Sequence, residues 1–261
     1  MLDDFLARIF TSQWTIFLVA SALLLILAEA GYRFGTMTRQ RNPEAAEGHS
    51  GSVQGAVLGL LGLLLGFTFA MSVSRYDTRR ALLVNEANSI GTTWLRAGFL
   101  GEPRTKEVRS LLKRYTEIRL EADEKSRNEQ ALRALVVEST NIQNALWAVA
   151  EHMAGEKPDA ITASFITTLN ETIDLQSSRL AARRNHVPGA VWLLLFTVAG
   201  CGAWASGYGS GTGGHRSAFS QLVFPLLIGV VVTLIADIDR PDKGLVGVSQ
   251  QPMKDLLEGM K

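Results

Sequence analysis

The chain has 261 residues, 47% of them apolar and 20% charged, with 26 basic against 25 acidic side chains. That near-neutral balance gives no electrostatic basis for nucleic-acid binding, and a single cysteine, Cys201, excludes an intrachain disulfide. The charge is segregated: most of it lies in 75–186 and near the two ends, while four other stretches are nearly uncharged, as expected of a chain that meets two solvents.

The first uncharged stretch, Trp14 to Ala30, predicts a membrane span, since about 20 helical residues cross a hydrocarbon core of roughly 30 Å. Ala28-Glu29-Ala30 has the form of a signal-peptidase site, but the leading MLDDFLAR is acidic and the apolar run is long for a signal sequence. Glu29 is instead expected at the membrane edge, one turn before Arg33, as an i,i+4 pair. Segment 39–52 reads as a polar loop. Span two covers Val53 to Val73, and the absence of glycine and proline between Gly66 and Gly91 extends its helix well past the membrane.

The insert 75–186 reads as a helical domain between spans two and three. Gly98, Gly101 and Pro103 mark a turn. Val108, Leu111, Leu112, Tyr115 and Ile118 then form one apolar stripe at helical spacing, and Leu132, Leu135, Val136, Ile142, Leu146, Val149 and Met153 form another. The charged run from Glu121 to Glu129 separates them as a bend or solvated segment. After a break at Gly155–Pro158, Ile161, Phe165, Leu169, Ile173, Gln176 and Leu180 define a third helix that runs on to Val187-Pro188. The stripes predict the core of a bundle.

Spans three and four are Val187–Ser206 and Ser217–Ala236, followed by a tail, 237–261. Trp14, Trp192 and Trp204 are expected as interfacial anchors, and Cys201 as a small core residue. The glycine-rich 206–216 between the two spans contains a formal G-x-G-x-x-G at Gly209, Gly211 and Gly214, but it follows no strand, so it reads as a flexible connector. Asp237, Asp239 and Asp242 could together hold calcium; the expectation is a helix stopped by Pro241 with its acids in water, and no metal or other cofactor. The histidines, His49, His152, His186 and His215, share no metal-binding spacing, and no nucleophile motif or phosphate loop stands in the chain, so the expectation is not an enzyme.

An even number of spans puts both termini and the insert on one side. Ten arginines and lysines near the membrane ends favour that side as cytoplasmic, against Arg33, Arg39, Arg41 and Arg216 on the other; without the insert arginines the count is four to four. Arg75, Arg79, Arg80, Arg179, Arg183 and Arg184 are expected near the headgroups of that side, either holding anionic lipid or forming the mouth of a pore. In span two, Gly55 and Gly59, then Gly62 and Gly66, stand four apart, a spacing that allows close helix packing in lipid. A second face carries Gly59, Leu63, Phe67 and Ala70; repeated about a symmetry axis, its large side chains would form apolar rings able to gate ions by dewetting.

Leu64-Leu-Gly-Phe67, then Ser74-Arg-Tyr-Asp-Thr-Arg-Arg80 and Asn85-Glu-Ala-Asn88, together with Asp237-Ile-Asp-Arg-Pro241 and Val248-Ser-Gln-Gln-Pro252 near the end, resemble the bestrophin-like group of bacterial membrane proteins, relatives of the bestrophin channels. The layout of two spans, helical insert and two spans matches along nearly the whole chain. The resemblance implies an all-α, bestrophin-like fold in a bacterial inner membrane. It also implies a homopentamer whose second span lines a pore for ions, with neck positions at Gly59, Leu63 and Phe67. Gly59 adds no side chain to such a neck, only Phe67 is the expected aromatic, and the acidic calcium-clasp run is missing. The resulting expectation is passive ion conduction, or alternatively a non-conducting scaffold or sensor whose insert binds a partner or responds to lipid.

Overall fold

The computed structural model describes residues 12–41, 50–126, 128–240 and 245–260. Arg8, His49, Pro241, Asp242 and Lys243 lie outside them. Among the described residues the chain is helical without strands. In order stand α1 (Gln13–Arg41), α2 (Ser50–Ala97), α3 (Arg104–Glu124), α4 (Glu129–Glu156), α5 (Ala160–Arg184), α6 (Gly189–Gly213), a π-helical turn (Phe219–Val223), α7 (Phe224–Asp239) and α8 (Gln251–Gly259). Four stretches of helix, in α1, α2, α6 and the π turn with α7, are long and apolar enough to cross a membrane. The chain divides into two compact units, Met1–Arg75 with His186–Gly247, and Tyr76–Asn185 with Val248–Lys261.

In the first unit, Ile16, Ala20, Leu24 and Ala28 of α1 pack with Leu61, Leu195, Ala199, Ala203, Val232 and Ile235. The glycines decide how closely α1 and α6 approach. A Cβ at Gly31 would strike the carbonyl of Trp204, and one at Gly35 that of Tyr208. Conversely, a Cβ at Gly207 would strike the carbonyl of Ala28, and one at Gly211 that of Tyr32. Only paired glycines allow backbones this near, and lipid offers no competing solvent for the packing. The glycine-rich segment is therefore ordered helix through Gly213, ending in the left-handed Gly214 (φ 77°), and the expected flexible connector shrinks to a short link. Periodicity alone could not show this, because glycine lowers helix propensity until a partner helix needs it.

Trp192, expected as an anchor, is 2% exposed and stacks on Phe196 in this core. The aromatic cluster at the other end of α6 is Trp204 stacked on Tyr208 at 5.3 Å, with Phe34 about 6 Å from both. Cys201 is exposed rather than buried. Pro225 lacks the N–H that would bond one turn back, and the helix widens to a π turn just before it.

In the second unit the three stripes form a bundle core. Val108, Leu112 and Tyr115 of α3 meet Leu146 and Met153 of α4 and Phe165 and Leu169 of α5. Ile161, at the start of the third stripe, is exposed. Asn128 caps α4 by accepting from the Ala131 N–H at 3.1 Å, and Asp159 caps α5 by accepting from that of Thr162 at 2.8 Å. The turn after α2 holds Gly101 at φ 76°. Chain beyond 247 is not merely a tail: α8 buries Met253, and Met260 follows it into the same core.

Candidate functional site

The longest helix, α2, is also the least covered. Of its most apolar stretch 17% is buried, against 33–44% in the other three. Leu61, Thr68 and Ser72 face its own chain, whereas Leu63 is 54% and Phe67 63% exposed, with Gly59 and Ala70 open beside them. At 3.6 residues per turn these four share one strip of the helix. The adjoining edge carries Gly55, Gly62 and Gly66, and a Cβ at any of these or at Gly59 would meet nothing within 4 Å. Within one chain, the close glycine crossing of the membrane helices is thus made by α1 and α6, not by α2.

Beyond the apolar stretch the arginines separate. Arg79 is buried and Arg75 largely covered, while Arg80 and, in the last turn of α5, Arg184 are exposed and Arg183 partly so. Arg75 lies 3.7 Å from Asp239. That carboxylate is 1% exposed and accepts the Val187 N–H at 3.0 and 3.1 Å, and His186 Nδ1 stands 3.1 Å from the Asp239 carbonyl. Asp237, also buried, accepts the N–H groups of Leu245 and Val246 at 2.9 Å and the side-chain amide of Gln13. Asp237 and Asp239, expected in water, are instead buried acceptors. Asp239 ties the end of α7 to the start of α6, and Asp237 ties it to α1 and the segment after 244. The backbone amides explain why two carboxylates tolerate burial here. Among the described residues no cluster has the make-up of a metal site.

Sequence reading missed a buried polar network in the second unit. Glu86 of α2, 0% exposed, is bound by Arg119 Nε at 2.8 Å and by Arg179. Tyr115 Oη lies 3.2 Å from Glu86 and 2.8 Å from Gln176, which also accepts from Gln143 at 2.9 Å and donates to Ser139 at 3.0 Å. Four helices meet at these groups. Burial alone would raise the Glu86 pKa, but the two guanidiniums outweigh it and hold the carboxyl below its ordinary range. Burial, and then the nearby Glu86 charge, push the Tyr115 phenol up. One available signal was Gln176, a polar residue standing in the third helical stripe beside Ile173 and Leu180.

A family model described as Bestrophin-like domain matches residues 18–253. The fold is shared with crystal structures of a bacterial bestrophin homolog from Klebsiella pneumoniae. One, of a point variant, is 14% identical with a TM-score of 0.66, covering 92% of this chain and 97% of its own. Another, also 14% identical, has a TM-score of 0.65 and covers 91% and 94%. No curated protein matched the chain.

Proposed function

The chain belongs to the bestrophin-like family, and from that premise we propose that it is an oligomeric ion channel in which α2 lines a central pore. The observation that supports this reading is the uncovered strip of α2: its apolar stretch is the least buried of the four, and its own chain leaves Leu63 and Phe67 more than half exposed, open to lipid, to a further copy or to a lumen. Bestrophins are known as ion channels, and a ring of copies supplies both the further copy and the lumen.

In that ring Leu63 and Phe67, one turn apart, form the neck, and the small Gly59 and Ala70 widen the path on either side. An apolar constriction of this kind passes ions when wet and stops them when it dewets, without reaction chemistry. Gly55, Gly62 and Gly66 lie along the neighbouring edge, where the next copy would pack. Arg80, Arg183 and Arg184 are the arginines accessible enough to act at a pore mouth or on lipid, since Arg75 and Arg79 are largely withdrawn into the chain. The ring is a pentamer by the family resemblance. It sits in a bacterial inner membrane, with both termini and the insert on the cytoplasmic side.

The test is ion flux through the purified protein in liposomes, comparing wild type with Phe67→Ala and Leu63→Ala. Discrete currents altered by both changes support the channel. Absence of current in several salts, from protein that is folded and oligomeric, moves the reading to a non-conducting scaffold or sensor.

A further inference from the structure

We infer that Glu29 and Arg33, in the second half of α1, form with Arg216 a binding site for the phosphate of an anionic phospholipid. Glu29 Oε1 accepts from Arg33 Nε at 2.9 Å, and its other oxygen accepts from Arg216. One carboxylate thus holds two guanidiniums side by side, which leaves the pair with a surplus positive charge. The Arg216 guanidinium also lies over the Tyr32 ring, 5.2 Å from its centroid. Neither arginine is spent: their side chains are 72% and 61% exposed, and each fork has more N–H donors than Glu29 uses. Arg39 adds a third positive charge nearby in the chain; its guanidinium fills the space where a Cβ at Gly214 would stand, at the carbonyl end of α6.

The depth fits a headgroup. Arg33 stands 20 residues beyond Gln13, so at roughly 1.5 Å per residue α1 has covered about 30 Å, the hydrocarbon thickness, when it reaches this pair. The aromatic group of Phe34, Trp204 and Tyr208 lies at the same level of the α1–α6 crossing, where an interfacial belt is expected. What favours a lipid over a free anion is the surface below. Val19 and Ile26, at seven-residue steps from Arg33, are exposed on the same face of α1, so an apolar track leads up to the guanidiniums. An amphiphile with a phosphate and acyl chains matches both parts; a soluble anion matches only one.

The experiment measures phospholipid retained by the full-length protein after stepwise detergent washing, by mass spectrometry. The protein is first equilibrated with equal phosphatidylglycerol and phosphatidylcholine, and a parallel arm titrates inorganic phosphate. Wild type should retain phosphatidylglycerol preferentially, and Arg33→Gln or Arg216→Gln should each weaken that preference about fivefold, the equivalent of about 1 kcal/mol per arginine at an anionic surface. Arg216→Lys keeps the charge but not the fork and separates a shaped site from diffuse attraction: it should retain only part of the preference. Arg133→Gln, at an exposed pair with Glu129, should change nothing. Equal retention of the two lipids overturns the site. So does a loss in Arg133→Gln as large as in Arg33→Gln, or displacement of phosphatidylglycerol by millimolar phosphate, which would mark a free-anion site. Each variant is compared at equal helical content and elution volume, so loss of fold is not read as loss of lipid. None of these outcomes depends on conduction.

Discussion

Glu86, Asp237 and Asp239 show what a buried carboxylate does in this chain. Glu86 has two guanidiniums and each aspartate has backbone amides, so burial costs less than it would for a bare charge, and removing the charge strands its partners. Glu86→Gln should therefore destabilise the helical insert by about 3 kcal/mol, seen as faster hydrogen exchange in α3 to α5. The pH dependence has a definite sign. The folded Glu86 carboxyl is held below the ordinary value of 4.5, so the unfolded chain takes up its proton first. The contribution is full above about pH 4.5 and is lost as pH falls through the lower folded value. Acid unfolding of the insert should accordingly be less steep in Glu86→Gln than in wild type, and equal steepness would remove Glu86 from the account. Asp239→Ala leaves the Val187 N–H buried without its acceptor and should cost about 1–3 kcal/mol, whereas Asp239→Asn keeps an oxygen there and should cost less; thermal unfolding in detergent compares them.

Among the elements, two sets of glycines have opposite surroundings. Those of α1 and α6 meet the facing backbone, so Gly211→Val forces the helices apart and should lower stability by at least about 2 kcal/mol, as overpacking does. Those of α2 face open space within the chain. Gly62→Val should leave the fold of a single chain unchanged and show itself only in assembly, as a shifted oligomer distribution on size exclusion. Similar losses of chain stability in both variants would contradict this division. Sequence spacing could not separate the sets, because a four-residue glycine step marks a face able to pack closely without naming its partner.

For the whole molecule, the strip of α2 left uncovered by its own chain is the surface on which the proposed ring would close. Light scattering of the purified protein should give about five times the chain mass, and a stable monomer would remove the ring on which the proposed neck depends. Cyclic closure also gives the glycine edge and the Leu63–Phe67 strip different neighbours, so substitutions on the two should have separable effects on assembly and on flux.

The amino-acid sequence by itself determined the four apolar spans, the uninterrupted α2 and the three stripes of the insert. These follow from hydrophobic segregation and helical period, which act over adjacent residues and need no knowledge of the fold. The Glu29–Arg33 pair was legible for the same reason, being one helical turn. Tertiary structure decided the rest. Gly207 and Gly211 are helical because Gly31 and Gly35 face them, Trp192 is core because its cluster draws on α1, α2 and α7 as well as on its neighbour Phe196, and Glu86 is buried because Arg119 and Arg179 converge on it. Each of these depends on groups tens to hundreds of residues apart, and a buried charge or a glycine-rich helix is stable only once those groups have met.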